Sequence, residues 1–138
     1  MSREIIFRGK SEVTNEWVYG SLVKVGNESH IIGFDEVDLD GHHLSYCSDR
    51  PIFTKQGTIG QFTGLHDKNG KEIYEGDIVL QQGYHGNKHP MVVKFECGAF
   101  IVGYHKGSST KPTPMLLNSK CEVIGNLFDN SELLEDKK

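Results

Sequence analysis

The sequence lacks the features that mark membrane, secreted and metal-binding proteins. Its 138 residues contain no apolar run long enough for a signal peptide or a membrane span, so we expect a soluble protein that stays in the cytoplasm. The three cysteines, Cys47, Cys97 and Cys121, are an odd number at wide spacings, without the close pairs that zinc sites and redox motifs use. We therefore expect reduced, buried thiols.

The sequence also lacks an excess of positive charge. Its formal net charge is −4, so no overall positive field is available to attract a phosphate backbone. Nucleic-acid binding would need a local patch, and the second half of the chain offers one in Lys88, Lys94, Phe95, Tyr104 and Lys106. Acidic residues are interleaved with these lysines, which favours a mixed, solvated surface and leaves nucleic-acid binding as an alternative.

Signatures of catalysis, cofactor binding and metal binding are missing as well. The glycine-rich segment 57–64 has neither the dinucleotide spacing nor the lysine ending of a nucleotide loop, and no nucleophile elbow occurs. The acidic stretch 36–41 matches the first half of a calcium loop, but Cys47 occupies the position of the bidentate glutamate. No two of the seven histidines form the spaced pair of a zinc site. We expect no enzyme activity, cofactor or metal, and a metal-dependent hydrolase is the weakest alternative.

What is present is the pattern of a protein built from strands. Sixteen glycines punctuate short runs of β-branched and aromatic residues, and no segment shows helical periodicity over three turns. In one clear hairpin Val93, Phe95 and Cys97 alternate with charged residues, and Phe100 and Val102 continue beyond Gly98–Ala99, which predicts one buried face. A chain of this length is enough for one domain, residues 1–138, with two lobes at 1–59 and 60–138 as a further expectation.

The segment from Gly60 to Val79 is rich in turn residues. Asn69–Gly70 suits a tight turn, and Gly76–Asp77 suits a corner ahead of an apolar strand, with the aspartate accepting hydrogen bonds from nearby N–H groups. The segment closely resembles the signature of the YopX-like proteins of phages and prophages, and the ends of the chain, Arg3–Lys10 and Glu122–Asn126, agree with it. The signature residues are Gly60, Gln61, Phe62, Thr63, Gly64, Asp67, Gly70, Ile73, Tyr74, Glu75, Gly76 and Asp77.

The resemblance implies a small, mainly β protein encoded by a phage or prophage and supplies no catalytic residues. We predict an all-β or β-dominated α+β domain with a small SH3-like barrel or barrel-like sheet, additional N-terminal strands and a short C-terminal helix. The favoured function is a non-catalytic accessory protein of the host cytoplasm that acts by contact with an unknown protein partner, with homo-oligomerisation as one form of that contact.

Overall fold

The computed structural model describes residues 4–33, 52–82, 86, 88–103 and 115–134. Within these ranges the chain forms ten β-strands and one short 3-10 helix, and the strands belong to two antiparallel sheets. The prediction of a mainly β fold is therefore confirmed. The chain divides into two compact units, Met1–Phe62 and Thr63–Lys138, and the boundary falls inside a strand.

The first unit is built on a three-stranded antiparallel meander, as expected for the N-terminal strands. Its strands are β1 (Phe7–Lys10), β2 (Trp17–Val25) and β3 (Glu28–Gly33). β1 lies between β2 and the first residues of β4 (Gly60–His66), pairing with Gly60 and Gln61. The β2–β3 hairpin turns at Gly26, whose φ of 64° is a conformation that glycine adopts without steric penalty.

The edge of β3 that faces away from β2 is covered by Gln56 and by the segment 52–54. Ser29 N–H donates to Gln56 Oε1 at 3.3 Å, and Gln56 Nε2 donates back to the Ser29 carbonyl at 2.8 Å. Ile52 N–H donates to the Ile31 carbonyl at 2.7 Å, while Ile31 N–H donates to Thr54 Oγ1 at 3.2 Å. Since the backbone groups of residues 29 and 31 are satisfied, this part of the edge cannot template another strand.

After β4 the second unit contains β5 (Glu72–Tyr74), β6 (Asp77–Gln82), β7 (Lys88–Glu96), β8 (Ala99–Gly103), β9 (Met115–Leu116), β10 (Glu122–Asn126) and the 3-10 helix Ser131–Leu134. β5 lies next to β4, and the five strands that follow β5 form an antiparallel sheet in the order β10-β6-β7-β8-β9. The predicted C-terminal helix is thus a single 3-10 turn, in which Leu133 N–H donates to the Asn130 carbonyl at 2.9 Å.

The core of this unit lies on one face of the five-stranded sheet. Alternate residues of β6, β7 and β8, which point to one side, are buried together with Leu117 and Cys121, and they include Val79, Met91, Val93 and Val102. The predicted buried face is confirmed at Val93 and Val102, but Phe95 on the same side is 53% exposed and Phe100 is only half-buried.

The sheet is curled without closing into a barrel over the described residues. Gln81 on β6 is buried; its Nε2 donates to the Leu116 carbonyl at 3.0 Å and its Oε1 accepts from Asn118 N–H at 3.2 Å. In a flat sheet β6 and β9 would lie about 14 Å apart, because two strands separate them. One glutamine side chain cannot span that distance, so the strands must curve toward each other. The described part of the unit is therefore a barrel-like open sheet.

Two expectations about Cys97 are wrong. The β7–β8 hairpin turns at Cys97–Gly98 and not at Gly98–Ala99, since Glu96 pairs with Ala99 and both turn residues have positive φ, 53° and 79°. This left-handed pair matches the twist of the strands, as in a type I′ turn. As a turn residue, Cys97 is exposed, whereas Cys121 is buried as expected; Cys47 is outside the described residues.

None of the helical residues that the structure describes forms a segment with the length and apolar character needed to cross a bilayer.

Candidate functional site

The turn between β4 and β5 is organised by the carboxylate of Asp67. Asp67 Oδ1 accepts the N–H groups of Asn69 at 2.8 Å and Lys71 at 2.9 Å, and Oδ2 accepts Val123 N–H at 2.9 Å. Val123 belongs to β10, 56 positions further along the chain. One buried side chain therefore fixes the turn and also ties it to an edge strand of the five-stranded sheet.

The electrostatics of Asp67 follow from these contacts. Burial by itself raises the pKa of the carboxyl, but the backbone donors of Val123, Lys71 and Asn69, together with the Lys71 charge, outweigh burial and lower the pKa below its usual 3.8. Asp67 is therefore an anion at neutral pH, and each of the three hydrogen bonds described for its carboxylate comes from a backbone N–H group. That arrangement suits a structural cap and leaves little basicity for proton transfer.

The corner at Gly76–Asp77 is held in a similar way. Asp77 Oδ2 accepts Tyr74 N–H at 2.8 Å, and Gly76 has a φ of 88°. Gly76 N–H donates to the Val93 carbonyl at 2.9 Å, and the Gly76 carbonyl accepts Leu127 N–H at 2.8 Å. The corner thus connects β6 to β7 and to the turn after β10, in agreement with the role that the sequence predicts for Asp77.

Most of the signature residues lie in the interior. Gly60, Phe62, Thr63, Asp67, Ile73, Tyr74 and Asp77 are buried; Gln61, Glu75 and Gly76 are half-buried; Gly64 and Gly70 are exposed. Thr63 shows the pattern, because its hydroxyl donates to the Ile73 carbonyl at 2.8 Å and accepts Leu65 N–H at 3.2 Å. The signature therefore encodes turns and packing, and offers little surface for a ligand.

An apolar surface that solvent can reach lies instead on the second face of the five-stranded sheet. Lys94 on β7, Ile101 on β8 and Leu116 on β9 are cross-strand neighbours and so point to the same side, and Glu96 follows Lys94 on that side. Leu116 is 69% exposed and Ile101 is half-buried. We call these four residues the hairpin surface. Elsewhere on the same face Ile78 and Val92 are buried.

The residues proposed for nucleic-acid contact are only partly brought together. Lys88 and Lys94 are exposed and point to the same side of β7, six positions apart. Phe95 is also exposed but points to the other side, where its ring meets Phe100 edge-on at a centroid distance of 5.0 Å. Tyr104 and Lys106 are outside the described residues.

Potential metal ligands are scattered over the part of the chain that the structure describes. The described ranges contain no group of three or more His, Cys, Asp or Glu side chains placed to hold a metal ion. The acidic stretch 36–41 and the histidines His42, His43, His85 and His105 are outside the described residues.

The one fully buried histidine that the structure describes has a structural role. His30 Nδ1 accepts Thr54 N–H at 3.1 Å, and Nε2 lies 3.1 Å from Glu28 Oε2. Because Nδ1 accepts a hydrogen bond it carries no proton, so the imidazole proton lies on Nε2, which donates a hydrogen bond to Glu28. His30 therefore fastens the Ile52–Thr54 segment to β3.

Sequence reasoning missed a cluster of cations around the single tryptophan. The Arg8 guanidinium carbon lies 4.4 Å from the centroid of the Trp17 ring, and Lys10 Nζ lies 5.2 Å from it. Both cationic residues are buried, at 6% and 8% exposure. The sequence does contain one signal for this cluster. Arg8 and Lys10 are two positions apart on β1 and so point to the same side of the strand, and Trp17 lies on the neighbouring strand opposite Lys10.

Comparisons with known proteins agree on the family and the fold. A family model described as YopX protein matches residues 6–135. No curated protein matches the chain. Among solved structures, the chain is similar to the crystal structure of protein EF1440 from Enterococcus faecalis, with a TM-score of 0.58 and 23% identity over 97% of this chain and 100% of that one. At this identity the likeness shows the fold alone.

Proposed function

The chain belongs to the YopX protein family, and on this basis we propose that it is a phage-encoded accessory protein that works in the host cytoplasm as a non-catalytic protein-interaction module. The observation that carries the proposal is the exposure of Leu116, 69%, beside Ile101 on an open sheet face. An apolar side chain of this size gains free energy when a partner covers it.

The first occupant of the hairpin surface is a second copy of the chain. The surface carries one positive and one negative side chain, Lys94 and Glu96, two positions apart on the same side of β7. A two-fold axis places a patch against itself in the opposite direction, so Lys94 of one copy can meet Glu96 of the other around a centre formed by Ile101 and Leu116. Such a patch is self-complementary in both charge and polarity.

Sedimentation velocity over a concentration series tests this assignment. We expect the wild-type chain to dimerise with rising concentration, and Leu116→Lys to remain monomeric because it places a cation next to Ile101, in the apolar centre of the patch. The matched control is Val13→Lys, which alters an 88% exposed valine of the first unit and should sediment like the wild type.

Charge reversal tests the paired contact separately. Lys94→Glu and Glu96→Lys alone should each weaken the dimer, and the double reversal should restore it, since the cross-copy pair is rebuilt with opposite polarity. A wild-type chain that stays monomeric would contradict self-association. A pull-down from host and phage extracts then tests for a different partner, which should bind the wild-type chain and fail to bind Leu116→Lys. If the wild-type chain is monomeric and no such partner is found, the proposal of an interaction module is refuted.

A second candidate function, nucleic-acid binding, is favoured by the placement of Lys88 and Lys94. Their positions on one side of β7 put them about 20 Å apart along the strand, which suits contact with several phosphates of one backbone. A filter-binding titration with single-stranded DNA at two salt concentrations tests it. Salt-sensitive binding that Lys88→Glu and Lys94→Glu weaken would favour this function, and undetectable binding at low salt would end it.

A further inference from the structure

The Asn69–Gly70 pair occupies the tip of the β4–β5 hairpin, and both residues are exposed. Asp67 and Lys71 close the loop, because Asp67 N–H donates to the Lys71 carbonyl at 2.8 Å. Gly70 has a φ of 85°, so the loop has the form of a turn followed by a left-handed glycine. Gly70 is therefore needed for the turn, and its lack of a side chain also leaves its own nitrogen sterically open.

An asparagine followed by glycine carries the elements of a spontaneous reaction. The deprotonated Gly70 amide nitrogen can attack Cγ of Asn69, forming an N–Cγ bond while the Cγ–Nδ2 bond breaks and ammonia leaves. Water then opens the cyclic imide at either carbonyl and gives aspartate or isoaspartate. The net change is one water consumed and one ammonia released, without an oxidant or reductant.

In the folded turn the attacking nitrogen is occupied. Gly70 N–H donates to the Asp67 carbonyl at 3.0 Å, and Asn69 N–H donates to Asp67 Oδ1 at 2.8 Å. The first bond holds the proton that must be lost, and the second fixes the backbone of the asparagine whose rotation would bring Cγ to the nitrogen. We propose that Asn69 is a latent deamidation site that Asp67 keeps unreactive while the turn is closed.

Once isoaspartate has formed at position 69, the closed turn would be difficult to restore. Isoaspartate adds a carbon to the backbone between residues 69 and 70, within a loop whose length is fixed by the pairing of Asp67 with Lys71. The bond from Val123 N–H to Asp67 Oδ2 depends on the same carboxylate position, so a lengthened loop would also loosen the tie to β10. Deamidation at Asn69 therefore shows that the turn has opened. The isoaspartate that forms then keeps the turn from closing again.

The test is ageing of the full chain at mildly alkaline pH, followed by peptide mass spectrometry that counts the Asn-to-Asp mass change. Folded wild-type chain should deamidate at Asn69 at least about tenfold more slowly than the same chain in denaturant, because only the open turn reacts. Asp67→Ala should raise the rate in the folded chain by about tenfold, as expected for loss of a charged hydrogen-bond acceptor. Asn15 and Asn27, which precede glutamates, are internal controls that should change little in either state.

Equal Asn69 rates in the folded and denatured wild-type chain would overturn the proposal. So would a folded Asp67→Ala chain that reacts no faster than wild type. If Asp67→Ala does not fold, Asp67→Asn keeps one oxygen acceptor at the site and should give an intermediate rate, and the comparison of folded with denatured wild type remains decisive.

Discussion

Replacing Asp67 with alanine is the sharpest test of how this fold is held. The change removes the acceptor of three backbone N–H groups, those of Asn69, Lys71 and Val123, with N···O distances of 2.8–2.9 Å. Hydrogen bonds to a charged group stabilise by about 1.5–3 kcal/mol each, and they are not additive when they share one carboxylate. We expect the free energy of unfolding to fall by about 3–5 kcal/mol, a large part of the roughly 5–15 kcal/mol typical of a domain.

The effect should depend on pH with a defined sign. The pKa of Asp67 is lower in the folded chain than the usual 3.8, because the backbone donors outweigh burial. A carboxyl whose pKa is lowered by folding stabilises the fold above its unfolded pKa, and that stabilisation is lost as the pH falls through the folded value. The difference between wild type and Asp67→Ala should therefore be constant around neutral pH and shrink only below 3.8.

Urea unfolding followed by circular dichroism measures both quantities, and the fluorescence of Trp17, the single tryptophan, reports the unfolding of the first unit, in which it lies. Glu132→Ala, an exposed acid in the 3-10 helix, is the matched control and should change stability by less than about 0.5 kcal/mol. A loss below about 1 kcal/mol for Asp67→Ala would refute the assignment of Asp67 as the tie between turn and sheet. A loss that persists unchanged below 3.8 would refute its attribution to the carboxylate charge.

Two further predictions concern packing and thiol chemistry. A Cβ added at Gly125 would lie 2.6 Å from Oδ1 of Asn130, whereas one at Gly103 would meet nothing within 4 Å. In urea unfolding, Gly125→Ala should therefore lose about 1–3 kcal/mol, and Gly103→Ala should match the wild type; equal effects would show that Asn130 moves aside freely. Cys97 is exposed, while burial raises the pKa of Cys121 to about 11. Iodoacetamide should therefore label Cys97 in the folded chain and Cys121 only after unfolding, and peptide mapping that finds Cys121 labelled first would contradict this.

The strands of the second unit could be predicted from the sequence because their alternation is a local property. Residues that face one side of a strand recur every two positions, so the alternation of Val93 and Phe95 with Lys94 and Glu96 is enough to indicate which side of β7 faces the core. The position of the hairpin turn was not predictable in the same way. Cys97 adopts a positive φ that its residue type does not favour, and the pairing of the strands imposes it.

The same division applies to the signature segment. The capping by Asp77 and the left-handed Gly70 follow from residue type and short spacing, and both are predictable from the sequence. The bond from Val123 N–H to Asp67 is not, because 56 positions separate its partners and no local pattern links them. The packing of Arg8 against Trp17 escapes prediction for a related reason, since a charged strand residue is expected to face water unless a neighbouring strand supplies an aromatic ring.

Variants at Asp67 and at Leu116 test stability and association separately. Asp67 is buried and accepts hydrogen bonds from the backbone of its own turn and of β10, so variants there should lower the free energy of unfolding. Leu116 is 69% exposed at the end of an open sheet, so Leu116→Lys should change that free energy by less than about 0.5 kcal/mol while abolishing association. If Leu116→Lys instead destabilised the chain as strongly as Asp67→Ala, the hairpin surface would be part of the packing of this fold. Its exposure would then say nothing about a partner.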